Sequence, residues 1–235
     1  MTLRTEQELT ESAYRLALAR RSSRGLLLDH NQADATPQRL NRSTPIHTIL
    51  QFTCRALGVR LAGELDTFWQ SVAFAELSCE KTLDRFAFFL KRRVENGTIR
   101  IHFLPELIDF ELTCNELRFL PRRELLADAN GGIPLTRDAG LSLHPLVRVL
   151  RFPCDAEALF ATLCPNPAGR ARHVRNRRRE SFLLLSVLKQ PTPEVFQLDP
   201  RLGRRLWALQ NVGSFSGSEP ELQTLAGLGV VVRSH

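Results

Sequence analysis

The spacing of apolar positions divides the chain into a helical first half and a second half that mixes strands with helices. Residues 5 to 21 place Leu9, Ala13, Leu16 and Ala17 near one face of an amphipathic helix. Residues 22 to 45 are polar and broken by Gly25, Pro37 and Pro45, the pattern of a long arm or linker. Thr44-Pro45 then opens a predicted helix, with proline in its first turn and Gly58 at its end. "AGELDTFWQSVAFAEL" predicts a second helix with Leu65, Phe68, Trp69, Val72 and Ala73 at helical spacing. "EKTLDRFAFFLKRRVENG" predicts a third, carrying Leu83, Phe86, Phe89 and Leu90 and stopping at Asn96-Gly97. "LPELIDFELTCNELRFL" predicts a fourth, ending before Pro121. Such helices with short joints predict an α-helical bundle.

Residues 121 to 141 read as a linker, with Asn130-Gly131-Gly132 and Pro134 as breakers. Beyond it the period changes. "HPLVRVLRFP" alternates like a strand, though Leu146, Val149 and Phe152 are not in one phase. "DAEALFATLC" is a short helix. "SFLLLSVLKQ" is apolar on both sides, as a central strand is. "PEVFQLD" predicts a second strand after the "QPTP" turn. "PRLGRRLWALQNVG" predicts a helix with Asp199 as N-cap and Pro200 at its first position. "EPELQTLAGLG" predicts a shorter helix, and "VVVRS" a closing strand. The fold class is α+β. The expected organisation is an N-terminal helix and arm (1–45), a helical domain (46–120), a linker (121–141) and a small mixed domain (142–235).

Charge changes the picture next. The formal net charge is +7 and the pI about 9.8, a balance that favours an acidic partner. Six arginines fall within residues 170–179, "RARHVRNRRR", immediately before the central strand. Clustered arginines are the usual footprint of nucleic-acid binding. Here they occupy a loop or strand extension and lack interleaved aromatics for base stacking. A DNA- or RNA-binding protein using this segment therefore stands as the alternative reading. No apolar run approaches the roughly 20 residues of a membrane span. The first residues have no hydrophobic signal core, and Glu6, Glu8 and Glu11 are unlike a transit peptide, so a cytoplasmic protein is expected.

Catalytic chemistry is not legible. The six histidines are scattered, with no metal-binding spacing, and neither a phosphate loop nor a nucleophile elbow occurs. The five cysteines are widely and irregularly spaced, without a C-x-x-C pair, which fits reduced thiols. Cys54, Cys79 and Cys114 sit in apolar helical surroundings, where core packing is their ordinary role. Glu106, Asp109, Glu111 and Glu116 lie at mixed helical spacing, with Glu106 and Asp109 on one face. A solvated surface is the plain explanation, and docking of a partner the functional one.

Two resemblances bear on function. "FLLLSVL", "VFQLDP" and "LGRRLWALQNVG", closed by "LQTLAGLGVVV", resemble the PqqD-like module, or RiPP recognition element. That module is a small winged-helix domain that holds ribosomally made precursor peptides for modifying enzymes. The loop between the two last helices is shorter here than in the module. "HFLPELIDFELTCNEL" resembles a helix in the partner proteins of multinuclear non-haem iron oxidative enzymes (MNIOs), with Phe110-Glu111 departing from that family's glutamate spacing. Those partners also order a helical half before a recognition half. Within the family the resemblance is greatest to the branch serving 3-thiaglutamate formation, where the iron enzyme acts on the C-terminal cysteine of a carrier peptide.

The resemblance implies a winged-helix-like domain at 142–235. It also implies a non-catalytic subunit that pairs with an MNIO as a heterodimer and presents a peptide to it. No cofactor is expected in this chain, and iron belongs to the partner. A sheet edge can take up a peptide as one more strand. The implied edge is Glu194 to Leu198, and the implied groove wall is the helix from Glu219 to Ala226. Val195, Gln197, Leu222 and Leu225 are candidates for floor and wall, against plain core packing for the two leucines. Phe196 faces the opposite side of the strand from Val195. Leu198 completes the edge. Arg201, Arg204 and Arg205 oppose the dipole of their helix, a cost that an acidic peptide would offset. Glu106, Asp109, Arg177, Arg178 and Arg179 are candidates for contact with the enzyme or with an acidic peptide segment.

Overall fold

A computed structural model describes residues 37–71, 79–129, 140–164 and 179–233. The predicted helix at 5–21, the latter part of the second predicted helix, and the arginine run before Arg179 lie outside the described residues.

The first helix, α1 (Pro37–Ile49), starts eight residues before the predicted position and keeps Pro45 inside it. The arm therefore does not extend to residue 45, and Pro45 is not a helix start. Proline at Pro37 occupies the opening turn, where the missing N–H has no helical partner to lose. The helix predicted over 45–58 is in fact two. It breaks at Leu50 (φ −93°, ψ 48°), and α2 (Gln51–Leu57) follows. The break has a tertiary cause. The Glu111 carboxylate accepts the N–H groups of Phe52 (2.6 Å) and Thr53 (2.9 Å), which are first-turn donors that otherwise lack partners. Gly58 ends α2 at φ +53°, as expected of glycine there. A 3-10 turn (Gly58–Arg60) leads into α3 (Leu61–Ser71). Next come α4 (Cys79–Glu95), α5 (Leu104–Phe119) and α6 (Arg122–Ala129). The segment predicted as a linker thus carries a helix in its first part.

Two antiparallel sheets follow. Strands β1 (Leu141–Leu143) and β5 (Val231–Arg233) form one. Strands β2 (Val147–Phe152), β3 (Ser181–Ser186) and β4 (Glu194–Leu198) form the other, in that spatial order. Helix α7 (Ala156–Leu163) lies between β2 and β3, and helices α8 (Pro200–Val212) and α9 (Glu219–Gly227) between β4 and β5. β3 is central, and all six of its residues are buried, as its unbroken apolar pattern implies. Asp199 caps α8 through the N–H groups of Arg201 and Leu202. Gly203 lets α8 approach β3 closely: a Cβ there would lie 2.4 Å from Phe182 side-chain atoms.

The sheet divides two apolar clusters. On one face Phe182 and Leu184 of β3 join Val147, Val149, Leu206, Leu209, Leu222 and Leu225. On the other, Leu183 and Leu185 join Phe52, Phe110, Phe152 and Phe160 from α2, α5, β2 and α7. The rings of Phe52 and Phe160 meet edge-on at 5.1 Å, and those of Phe110 and Phe160 lie tilted at 4.7 Å. Helix α5 is buried on two sides. Leu107 and Phe110 face this shared cluster, while Leu104 and Ile108 face a third cluster made by α1 to α4. The helical half and the sheet therefore share a core.

Candidate strand-accepting edge

The hydrogen-bonding parity of the central sheet identifies its free backbone groups. Val187 donates its N–H to the Leu146 carbonyl (3.1 Å), which continues the β2–β3 ladder. Bonded and non-bonded positions alternate in an antiparallel pair. Ser181, Leu183 and Leu185 thus turn their backbone groups toward β2, and Phe182, Leu184 and Ser186 toward β4. By the register, Leu198, Phe196 and Glu194 answer that second set. The N–H and C=O of Val195 and Gln197 then point away from the sheet, and no partner among the described residues pairs with them.

The opposite edge is closed over its first half. The same parity turns Val147, Val149 and Arg151 of β2 outward, and among the described residues no group pairs with the Arg151 backbone. Val147 donates to the His144 carbonyl (2.8 Å). Val149 donates to Gln210 Oε1 (2.7 Å), and Gln210 Nε2 donates back to the Val149 carbonyl (3.1 Å). The Gln210 side chain from α8 therefore does for β2 what a neighbouring strand would do. One side-chain amide supplies both a donor and an acceptor.

The faces of β4 correct the grouping read from the sequence. Val195 and Gln197 stand opposite Leu185 and Leu183, on the face toward the helical half. Phe196 and Leu198 stand opposite Leu184 and Phe182, on the face with α8 and α9. Phe196 does oppose Val195, but the residues that share a cluster with Leu222 and Leu225 are Phe196 and Leu198. Leu222 is fully buried and Leu225 6% exposed, so both are core and neither is a surface that a peptide reaches. The half-buried Phe196, Leu198, Leu202 and Phe215 are among the apolar groups at the margin of that cluster.

The arginines are not three equivalent solvated charges. Arg205 pairs with Glu221 of α9, and Arg204 pairs with Glu180 (2.9 Å). Arg151 of β2 also pairs with Glu180 (2.6 Å) and lies over the Trp207 ring. Desolvation raises the Glu180 carboxyl, but Arg204 and Arg151 outweigh it and hold that carboxyl below its usual value. The offset expected from an acidic ligand is already supplied within the chain for Arg204 and Arg205. Arg201 and Arg179 are exposed. Arg177 and Arg178 lie outside the described residues.

Three of the four acids of α5 are likewise engaged, while the buried Oε2 of Glu106 has no hydrogen-bond partner among the described residues. Asp109 pairs with Lys91 of α4, and Glu116 with Arg148. Glu111 is the buried cap of α2. Burial pushes the Glu106 carboxyl up, and the neighbouring Asp109 charge adds to that, while Lys91 and Arg151 oppose it. Glu106 and Asp109 do share a face, but Asp109 joins two helices of this chain. Burial pushes the thiols of Cys54 to about 12 and Cys154 to about 11, so both are protonated packing groups near neutral pH. Among the described residues, no three His, Cys, Asp or Glu side chains group to hold a metal, and no helix is long and apolar enough to cross a membrane.

Fold and edge together define a mixed α+β chain whose central sheet is blocked at Val147 and Val149 on one margin and open at Val195 and Gln197 on the other. No family model matches the chain, and no curated protein matches it. Sequence reasoning missed Gln210 and Glu111. A glutamine in a polar helix face and a glutamate in an acidic helix carry no local signal that each caps backbone groups about 60 residues away.

Proposed function

We propose that this chain is a non-catalytic recognition subunit. It binds a ribosomally made precursor or carrier peptide and presents it to an MNIO-type iron enzyme, which modifies the peptide oxidatively, at a cysteine. Residues 142–235 serve as a winged-helix-like, PqqD-like recognition domain. The observation that carries this reading is the asymmetry of the central sheet. Gln210 occupies the backbone groups of Val149 on β2, whereas Val195 and Gln197 of β4 offer two N–H and two C=O groups to an incoming strand. Main-chain pairing of this kind supplies affinity, and side-chain pockets beside the strand supply specificity. The thiaglutamate branch of the MNIO partners remains the specific proposal for the pathway, on the resemblance of the α5 segment.

The test is a fluorescence anisotropy titration at two salt concentrations. The probes are a synthetic acidic peptide ending in cysteine and a random DNA duplex. Gln197→Pro is the informative variant. It deletes an N–H that points outward, leaves the β3–β4 ladder intact, and proline is tolerated on such an edge. Phe196→Pro is the contrast, because it removes a ladder hydrogen bond. Saturable peptide binding lost in Gln197→Pro supports the reading. Duplex binding that falls steeply with salt, with no peptide binding, replaces it with nucleic-acid recognition through the arginine run.

A further inference from the structure

A depression of about 450 Å³ lies where the end of α5 and the start of α6 meet the connection between β3 and β4. Leu117, Leu120, Val187 and Pro191 give it an apolar lining. Arg118, Arg122 and Arg123 stand around it against one acid, Glu124. The walls are tied together. Arg122 donates from Nε to the Val187 carbonyl (2.7 Å) and from Nη2 to the Leu188 carbonyl (2.6 Å). These are neutral acceptors, and among the described residues no carboxylate forms an ion pair with this guanidinium. Arg123 is exposed, and the adjacent Phe119, 79% exposed, leaves a large aromatic surface in water. Arginine and aromatic side chains around an apolar centre are the composition of protein-recognition surfaces.

We infer that this depression holds an acidic stretch of the bound peptide, with one large apolar residue seated among Leu117, Leu120, Val187 and Pro191 and flanking carboxylates on Arg118 and Arg123. The inference rests on the peptide-recognition reading and names a second contact region for the same ligand. Val187 and Pro191 belong to the segment that leads directly into β4, so a strand laid along Gln197 and Val195 runs toward this depression at the Glu194 end. Charge complementarity selects an acidic occupant. The rigid Arg122 fork means the walls need no ordering when the ligand arrives, which lowers the cost of binding. Specificity would then be divided. The β4 edge reads extended backbone of any sequence, and the depression reads the acidic and apolar side chains.

A random short-peptide library is selected on the full chain, and retained peptides are labelled with fluorescein for anisotropy titrations. They are measured against wild type, the double variant Arg118→Glu with Arg123→Glu, and Gln197→Pro, each first checked for an unchanged thermal transition. The expected result is enrichment of Asp and Glu around one large apolar residue, and a loss of affinity of about tenfold or more in the charge-reversed variant. Loss in that variant but not in Gln197→Pro upholds the depression and removes strand addition. Loss only in Gln197→Pro upholds strand addition and overturns the depression. Failure to retain any peptide, or retention of peptides without acidic residues, also overturns it.

Discussion

At the scale of single residues, two buried polar groups carry unusual weight. Glu111 is 5% exposed and receives two backbone N–H groups of α2. Removing it leaves buried donors unpaired, which costs about 1–3 kcal/mol for each such group. Glu111→Ala is therefore expected to lower the urea midpoint sharply, and Glu111→Gln, which keeps one acceptor oxygen, to lower it less. His144 is 1% exposed, and its Nδ1 accepts the Leu146 N–H (3.0 Å). Burial lowers its pKa, and a weaker backbone interaction at Leu125 opposes the shift. The sign follows. Below its ordinary pKa the unfolded chain protonates this histidine while the folded chain resists, so the unfolded state binds more protons and stability is lost as the pH falls. Denaturation midpoints between pH 7 and pH 5 are expected to fall less in His144→Gln than in wild type. An equal fall would mean that other groups carry the pH dependence.

At the scale of elements, most of the strands and helices follow from local signals. Asp199-Pro200 starts α8, Gly213 ends it in the left-handed region (φ +72°), and Gly97 ends α4 likewise at φ +71°. The misreadings have tertiary causes. Pro45 looks like a helix start because proline is common there, yet α1 runs through it and is buried at Ile46 against the other helices. The break at Leu50 is invisible locally because its cap, Glu111, comes from α5. The alternation of β4 was correct, with Phe196 opposite Val195. Which face met α9 was not readable, since period-2 alternation is the same on either side of a sheet. Gly203 illustrates a constraint of packing within a helix. Gly203→Ala would improve helix propensity, but its Cβ meets Phe182, so the net expectation is destabilisation of about 1–3 kcal/mol, the scale of overpacking. A chemical denaturation curve decides which effect wins.

At the scale of the whole molecule, the helical half and the sheet are joined by the Phe52–Phe110–Phe152–Phe160 aromatic cluster. The two tryptophans report opposite parts of the chain. Trp69 packs in the helical cluster, and Trp207 lies on α8 beside the sheet. In single-tryptophan variants Trp69→Phe and Trp207→Phe, unfolding midpoints from fluorescence are expected to coincide, because a shared core couples the parts. Separated midpoints would mean the halves unfold independently. Phe160→Ala should lower both midpoints together, by about 3–5 kcal/mol in stability.

The sequence by itself determined the α+β class, the central position of β3, the stop of α4, the cap and stop of α8, and a strand at Glu194–Leu198. Each rests on a local rule: apolar periodicity, N-capping, glycine at positive φ, or a short strand between turn signals. Only the tertiary structure decided how these pieces are used. Glu111 and Gln210 satisfy backbone groups far away in sequence. Arg204 and Arg205 meet Glu180 and Glu221, and Leu222 and Leu225 turn inward. The edge of β2 is occupied at Val147 and Val149 while that of β4 stays available among the described residues. The physical reason is that hydrogen-bond satisfaction and charge pairing are settled by which elements come into contact, and a side chain with a polar end carries no local mark of the partner it will reach.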